Sequence, residues 1–143
     1  MFIKQITFCC LILLAFGVKV GAQNCENTIK KCKTPDKSFK VSATSRSIKM
    51  RRGKKSRIVL NAYQNRVYYF SAYADKKAGR LQFRIIDAES NKILYDNSSE
   101  EMNDIKIFTV TATKKLYIEL LTPNWMSKND YECAAFKIAY RKM

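Results

Sequence analysis

Short runs that alternate apolar and polar residues, separated by polar clusters, dominate the chain from residue 38 onward. Ser38 to Ser42 places Phe39 and Val41 on one face. Ile48 and Met50 continue that style, with Lys49 and Arg51 opposite. Arg57 to Tyr63 aligns Ile58, Leu60 and Ala62, and Leu81 to Asp87 aligns Leu81, Phe83 and Ile85. Asp104 to Ala112 carries Phe108 and Val110 on one side, Lys115 to Leu121 carries Leu116, Ile118 and Leu120, and Tyr131 to Tyr140 aligns Phe136, Ile138 and Tyr140. This period of two is that of β-strands with one buried face. Arg66 to Tyr73 differs, because Val67 and Tyr69 lie on one face and Tyr68 and Phe70 on the other, as in a strand at the centre of a sheet.

Turns fall where the alternation stops: Arg52-Gly53-Lys54-Lys55, Gln64-Asn65, Asp75 to Arg80 with Gly79, Ala88 to Asn91, the acidic stretch Asn97 to Asn103, Thr113-Lys114, and Thr122 to Asp130. A shorter run, Lys92 to Asp96, returns the chain after the fourth of these. Spacings of about 8–12 residues yield about eight strands, and short connections point to hairpins and antiparallel pairing. No window carries a helical stripe. The predicted fold is all-β, an antiparallel β-sandwich of jelly-roll type, with a small barrel as the second choice. The polar stretch Asn24 to Lys37 reads as irregular.

The N-terminus breaks the pattern. Lys4 precedes an apolar stretch from Ile6 to Gly17, and Val20-Gly21-Ala22 offers small residues for cleavage. That is a secretory leader, too short to span a bilayer, which takes about 20 apolar residues. The expected division is a signal peptide over residues 1–22 and one domain over 23–143, secreted or periplasmic and not transmembrane.

Charge then narrows the partners. The chain has 27 Lys and Arg against 12 Asp and Glu; losing Lys4 and Lys19 with the leader leaves 25 against 12, a net charge of +13. Such a surface favours polyanions: an anionic glycan, a lipopolysaccharide surface of the lipid A type, or nucleic acid. Lys49, Arg51, Arg52, Lys54, Lys55 and Arg57 put six cations into nine residues and form the candidate anion site, the arginines gripping phosphate or sulfate through paired N–H donors. The alternative is a solvated turn whose lysines discourage edge-to-edge pairing. Tyr63, Tyr68, Tyr69, Phe70 and Tyr73 lie near that segment; stacking on bases is one use, and core packing is the use that strand spacing favours. Trp125, the single tryptophan, suits a glycan or protein contact or a fold over the sandwich end.

Three cysteines follow the leader: Cys25, Cys32 and Cys133. An oxidising compartment pairs two of them, and three pairings are open. Cys32–Cys133 is the expected bridge, because closing a loop of about 100 residues is worth about 4.7 kcal/mol in the chain-entropy model. The chain has no histidine, which removes Ser–His and Cys–His dyads and the commonest metal ligand. Asp75, Asp87, Glu89, Asp96, Glu100, Glu101 and Asp104 match no calcium loop and suit turn chemistry. No metal, cofactor or catalytic residue is assigned.

The ordered series Tyr63-Gln64-Asn65-Arg66-Val67-Tyr68-Tyr69-Phe70, Leu81-Gln82-Phe83-Arg84-Ile85-Ile86-Asp87, Lys92-Ile93-Leu94-Tyr95-Asp96-Asn97 and Lys115-Leu116-Tyr117-Ile118-Glu119-Leu120 resembles small secreted proteins of Bacteroidetes-type bacteria. It is also similar to the bacterial pre-peptidase C-terminal β-sandwich, although Asn91 stands near the usual turn glycine. The resemblance implies a sandwich with an accessory or binding role and transfers no catalytic residue. The leading reading is thus an exported, non-catalytic binding module with a basic face. An envelope-associated structural or protein-interaction protein with incidental charge, and a carboxylate-based hydrolase, are the competing classes. The oligomeric state is left open.

Overall fold

The computed structural model describes residues 24–143; the expected leader and the expected mature start at Gln23 lie outside the described residues. Nine strands follow in order: β1 (Lys40–Val41), β2 (Arg46–Arg51), β3 (Ser56–Ala62), β4 (Arg66–Ala74), β5 (Gln82–Asp87), β6 (Ile93–Asp96), β7 (Ile105–Val110), β8 (Lys114–Leu121) and β9 (Tyr131–Lys142). One sheet has the order β2-β9-β4-β7, with the two-residue β1 sharing the β9 edge with β2; the other has the order β3-β8-β5-β6. Every pairing is antiparallel. Without β1 this is an eight-stranded jelly roll, as the alternation predicts.

The expected run of hairpins is corrected. From β2 onward each connection crosses to the other sheet, except the one between β5 and β6, which pair directly. Local alternation marks a strand and its buried face but not its partner. The crossings gather four connections at one end of the sandwich: residues 52–55, 75–81, 97–104 and 122–130.

The core lies between the sheets. Tyr68 and Phe70 of β4 and Phe136 and Ile138 of β9 face Phe83 and Ile85 of β5 and Leu116, Ile118 and Leu120 of β8. Rings meet within and across the layers, with Phe136 5.7 Å from Phe70 on the neighbouring strand and 5.2 Å edge-on from Phe83 in the facing sheet. Such aromatic pairs add about 0.5–1.5 kcal/mol beyond the burial of their area.

The polar segment ahead of β1 is not loose. It lies on the outer face of the five-stranded sheet and explains why β4 is apolar on both sides. A 3₁₀ turn over Glu26–Lys31 leads to the buried Cys32, Phe39 packs on Tyr69 at 5.8 Å, and the Tyr69 hydroxyl donates to the Lys33 carbonyl. Lys137, on the outer face of β9, is buried beneath the strap, and its ammonium donates to the Thr34 hydroxyl at 3.1 Å and to the Cys32 carbonyl at 3.4 Å.

The expected Cys32–Cys133 bridge is also corrected: the disulfide joins Cys25 to Cys133, 108 residues apart, and Cys32 is a buried free thiol. The six-residue 3₁₀ turn between the two cysteines advances the chain by about 12 Å at 2 Å per residue, so both cannot sit beside Cys133. The loop-length argument holds for either bridge and does not choose between them. Burial pushes the Cys32 thiol up to about 11, against the pull of the Lys137 ammonium.

These features predict thiol behaviour. In the chain beginning at Gln23, Ellman's reagent at pH 8 should find no reactive thiol in the native protein and one in denaturant. Non-reducing peptide maps should show Cys25 joined to Cys133. Replacing both bridge cysteines by alanine should lower stability by about 2–5 kcal/mol. Rapid native labelling would contradict the buried, neutral Cys32, and a Cys32–Cys133 peptide would contradict the strap's path.

Candidate functional site

The six cations of the basic segment do not converge on one point. Their segment is a crossing between sheets, so β2 carries part of it to one face and β3 part to the other. Lys49 and Arg51 lie over the Tyr131 ring at 4.8 and 5.9 Å, on the strap side. Arg57 lies over the Tyr117 ring at 4.4 Å on the outer face of the four-stranded sheet. There Glu119, nearly buried, pairs with Lys55 at 3.3 Å, Arg84 at 3.4 Å and Arg57 at 3.6 Å. Arg84 reaches on to Asp96 at 2.8 Å, and Gln82 donates to the same carboxylate. Burial alone would raise the Asp96 carboxyl; hydrogen bonds from Ser98, Gln82 and Arg84 outweigh it and hold the group near 2.

Arg52 works inward. Its guanidinium donates to the Ser127 carbonyl at 2.9 Å and the Asn129 carbonyl at 3.4 Å, while its amide donates to the Asp130 carbonyl. Residues 122–130 are held from the other side too. The buried Glu132 carboxylate accepts from the Ser127 hydroxyl and from the Asn129 amide at 3.1 Å. The Trp125 indole donates to the Asn129 carbonyl at 3.1 Å, and its ring packs against the edge of the core. The loop is thus pre-organised, and such order lowers the entropic cost of binding.

A third segment docks on it. The Met126 amide donates to the Lys77 carbonyl, which brings residues 75–81 against the β8–β9 loop. Gly79 makes that approach possible: its φ is +81°, and a Cβ there would stand 2.3 Å from the Asn124 carbonyl oxygen.

Two cavities flank the β8–β9 loop. The smaller, about 260 Å³, is lined by Arg52, Lys54 and Lys55 of the basic turn and by Leu121, Thr122, Pro123 and Trp125. Thr122 is 6% exposed, and its hydroxyl has no hydrogen-bond partner among the described residues. The larger, about 640 Å³, is lined by Lys33, Lys76, Arg80, Asp104, Met102 and Met126, among others. Lys54, Lys76, Lys77 and Lys128 make no ion pair among the described residues.

Other candidate groups are committed elsewhere. Tyr68 and Phe70 fill the core, Tyr69 lies under the strap, Tyr63 stacks on Arg66 and Tyr73 on Lys31. Of these rings Tyr63 is exposed, in the β3–β4 connection at the other end of the sandwich from the basic turn. Among the acids, Asp75 pairs with Lys31, Asp87 with Lys114, Glu100 with Lys106 and Asp104 with Lys33. Among the described residues no three metal-ligating side chains gather.

Sequence reasoning named the basic turn and the Trp125 loop but not their meeting. It missed the larger cavity altogether, because Lys33, Arg80 and Met126 come from three separate segments. Gly79 was the one local sign, a lone glycine in a polar loop of a glycine-poor chain.

The fold and its loop end define a jelly-roll sandwich with a pre-organised, cation-rimmed rim. No family model matches the chain, and no curated protein does. Among solved structures it is similar to the crystal structure of Aeromonas hydrophila PliG, a periplasmic lysozyme inhibitor of g-type lysozyme. That match has 10% identity and a TM-score of 0.47, over 78% of this chain and 93% of that one. A likeness at that level carries no argument about function.

The docking of the two loops predicts the effect of Gly79→Ala. The added methyl must push Asn124 away, and the left-handed backbone penalises alanine, so stability should fall by about 1–3 kcal/mol. Amide exchange should quicken over residues 122–130 before it does in β9. A variant with native stability and unchanged exchange would show that the loops do not depend on each other.

Proposed function

We propose that this chain is an exported, non-catalytic binding module that holds an anionic partner at the loop end of its jelly roll. One observation carries this reading: Arg52, Lys54 and Lys55 line a cavity together with Trp125, on loops fixed by their own hydrogen bonds. Cations beside an apolar ring suit a group that is anionic on one side and apolar on the other. Export rests on the leader pattern of residues 1–22 and on the Cys25–Cys133 bridge, which needs an oxidising compartment to persist. The likeness to the pre-peptidase C-terminal β-sandwich fits the same accessory role.

Within the original six cations the roles divide. Arg52 is a positioning residue, Lys54 is the group free to meet a ligand, and Lys55 is shared with Glu119. Lys49, Arg51 and Arg57 raise the general potential from outside the cavity.

Heparin affinity measured against salt tests this directly. Retention should fall steeply as salt rises, because each neutralised anionic group releases a counterion. Lys54→Ala should flatten the log–log slope by about 1. Lys142→Ala, which removes a cation at the far end of β9, should leave the slope nearly unchanged, and both variants should keep their stability within about 0.5 kcal/mol. Equal effects of the two substitutions would reduce the result to net charge. No retention even at low salt would overturn the anionic partner.

A further inference from the structure

Resting on that reading, we propose that the ligand is an acidic glycan and that it crosses the β8–β9 loop, with acidic sugar units seated in both flanking cavities. The two cavities share this loop as a wall: Trp125 lines one and Met126, 69% exposed, lines the other. Each has uncommitted positive charge at its rim, Lys54 on one side and Lys76 on the other. Adjacent residues of one rigid loop therefore serve two sites, so a single chain can occupy both.

The chemistry of the lining favours sugars over nucleic acid. A DNA strand repeats its phosphates with no hydrogen-bond donor on the groups between them along the backbone, and such a line would meet the Asp104 carboxylate inside the larger cavity. A glycan offers hydroxyl donors between its acidic groups. Asp104 accepts such hydroxyls while Lys33, its ion-pair partner at 3.1 Å, and Lys76 take carboxylate or sulfate. In the smaller cavity, Pro123 and the Trp125 ring give an apolar wall for a sugar face. The buried Thr122 hydroxyl gains the partner it lacks by turning toward a ligand hydroxyl. The smaller volume of about 260 Å³ accommodates a single sugar unit, and the larger, about 640 Å³, accommodates more than one.

Calorimetry with size-defined heparin oligosaccharides tests the crossing. Short members should bind weakly, and affinity should step up by about tenfold or more once the chain is long enough to reach both cavities. Lys54→Ala and Lys76→Ala should each weaken the long members by several fold, and either change should remove most of the step in affinity with length. Binding that is independent of length, or indifferent to Lys76→Ala, would overturn the crossing and leave a single-cavity anion site. A single-stranded DNA of equal charge that binds more tightly would overturn the glycan. Absence of binding at any length would sink the anionic reading itself.

Discussion

The register of β9 is the constraint on which the rest of this molecule depends. Its twelve residues pair with β4 along one edge and with β1 and β2 along the other. Phe136 and Ile138 point into the core, while Cys133 and Lys137 point out and hold the N-terminal strap by a disulfide and two hydrogen bonds. Near its start, Glu132 anchors the loop that carries Trp125. A slip of one residue would turn Lys137 toward the core and Phe136 toward the strap, so core, strap and candidate site hold the same register in common.

The high positive charge has a different meaning once it is placed in space. Much of it is committed to rings and carboxylates. Arg66 lies between Tyr63 and Tyr140 at 4.8 and 4.2 Å, Arg141 lies over Phe39 and Lys106 over Tyr95. On the four-stranded sheet, Glu119 gathers three cations around one buried carboxylate. Such contacts lower the charge available to a partner at those points, though not the net charge felt at a distance. What distinguishes the loop end is that two lysines without an ion pair among the described residues, Lys54 and Lys76, line cavities there.

Alternation made the fold legible. Ile58 and Leu60, Phe83 and Ile85, and Leu116, Ile118 and Leu120 all point inward as their period of two demands. The doubled apolar pattern of β4 correctly marked a strand covered on both faces, although the cover on one side is the polar strap, which has no apolar signature of its own. Pairing was not legible, because crossings between sheets leave no local trace and a jelly roll joins strands far apart in sequence. The bridge was misassigned for a related reason: cysteine spacing reports loop length, not the direction in which a 3₁₀ turn carries the chain. The site was half legible. Arg52 looked like a ligand group because it is exposed and cationic, but its geometry makes it the brace of a loop some 75 residues away.

Trp125 allows the central claim to be tested at a single atom, since the chain has one tryptophan and its indole N–H donates to Asn129 at the wall of the smaller cavity. In a ¹⁵N-labelled sample that indole gives one resolved side-chain resonance. Titration with a long heparin oligosaccharide at low salt should move it saturably, together with the amides of residues 52–55 and 122–130. An indole resonance that stays fixed while shifts gather on another face of the sandwich would contradict the account.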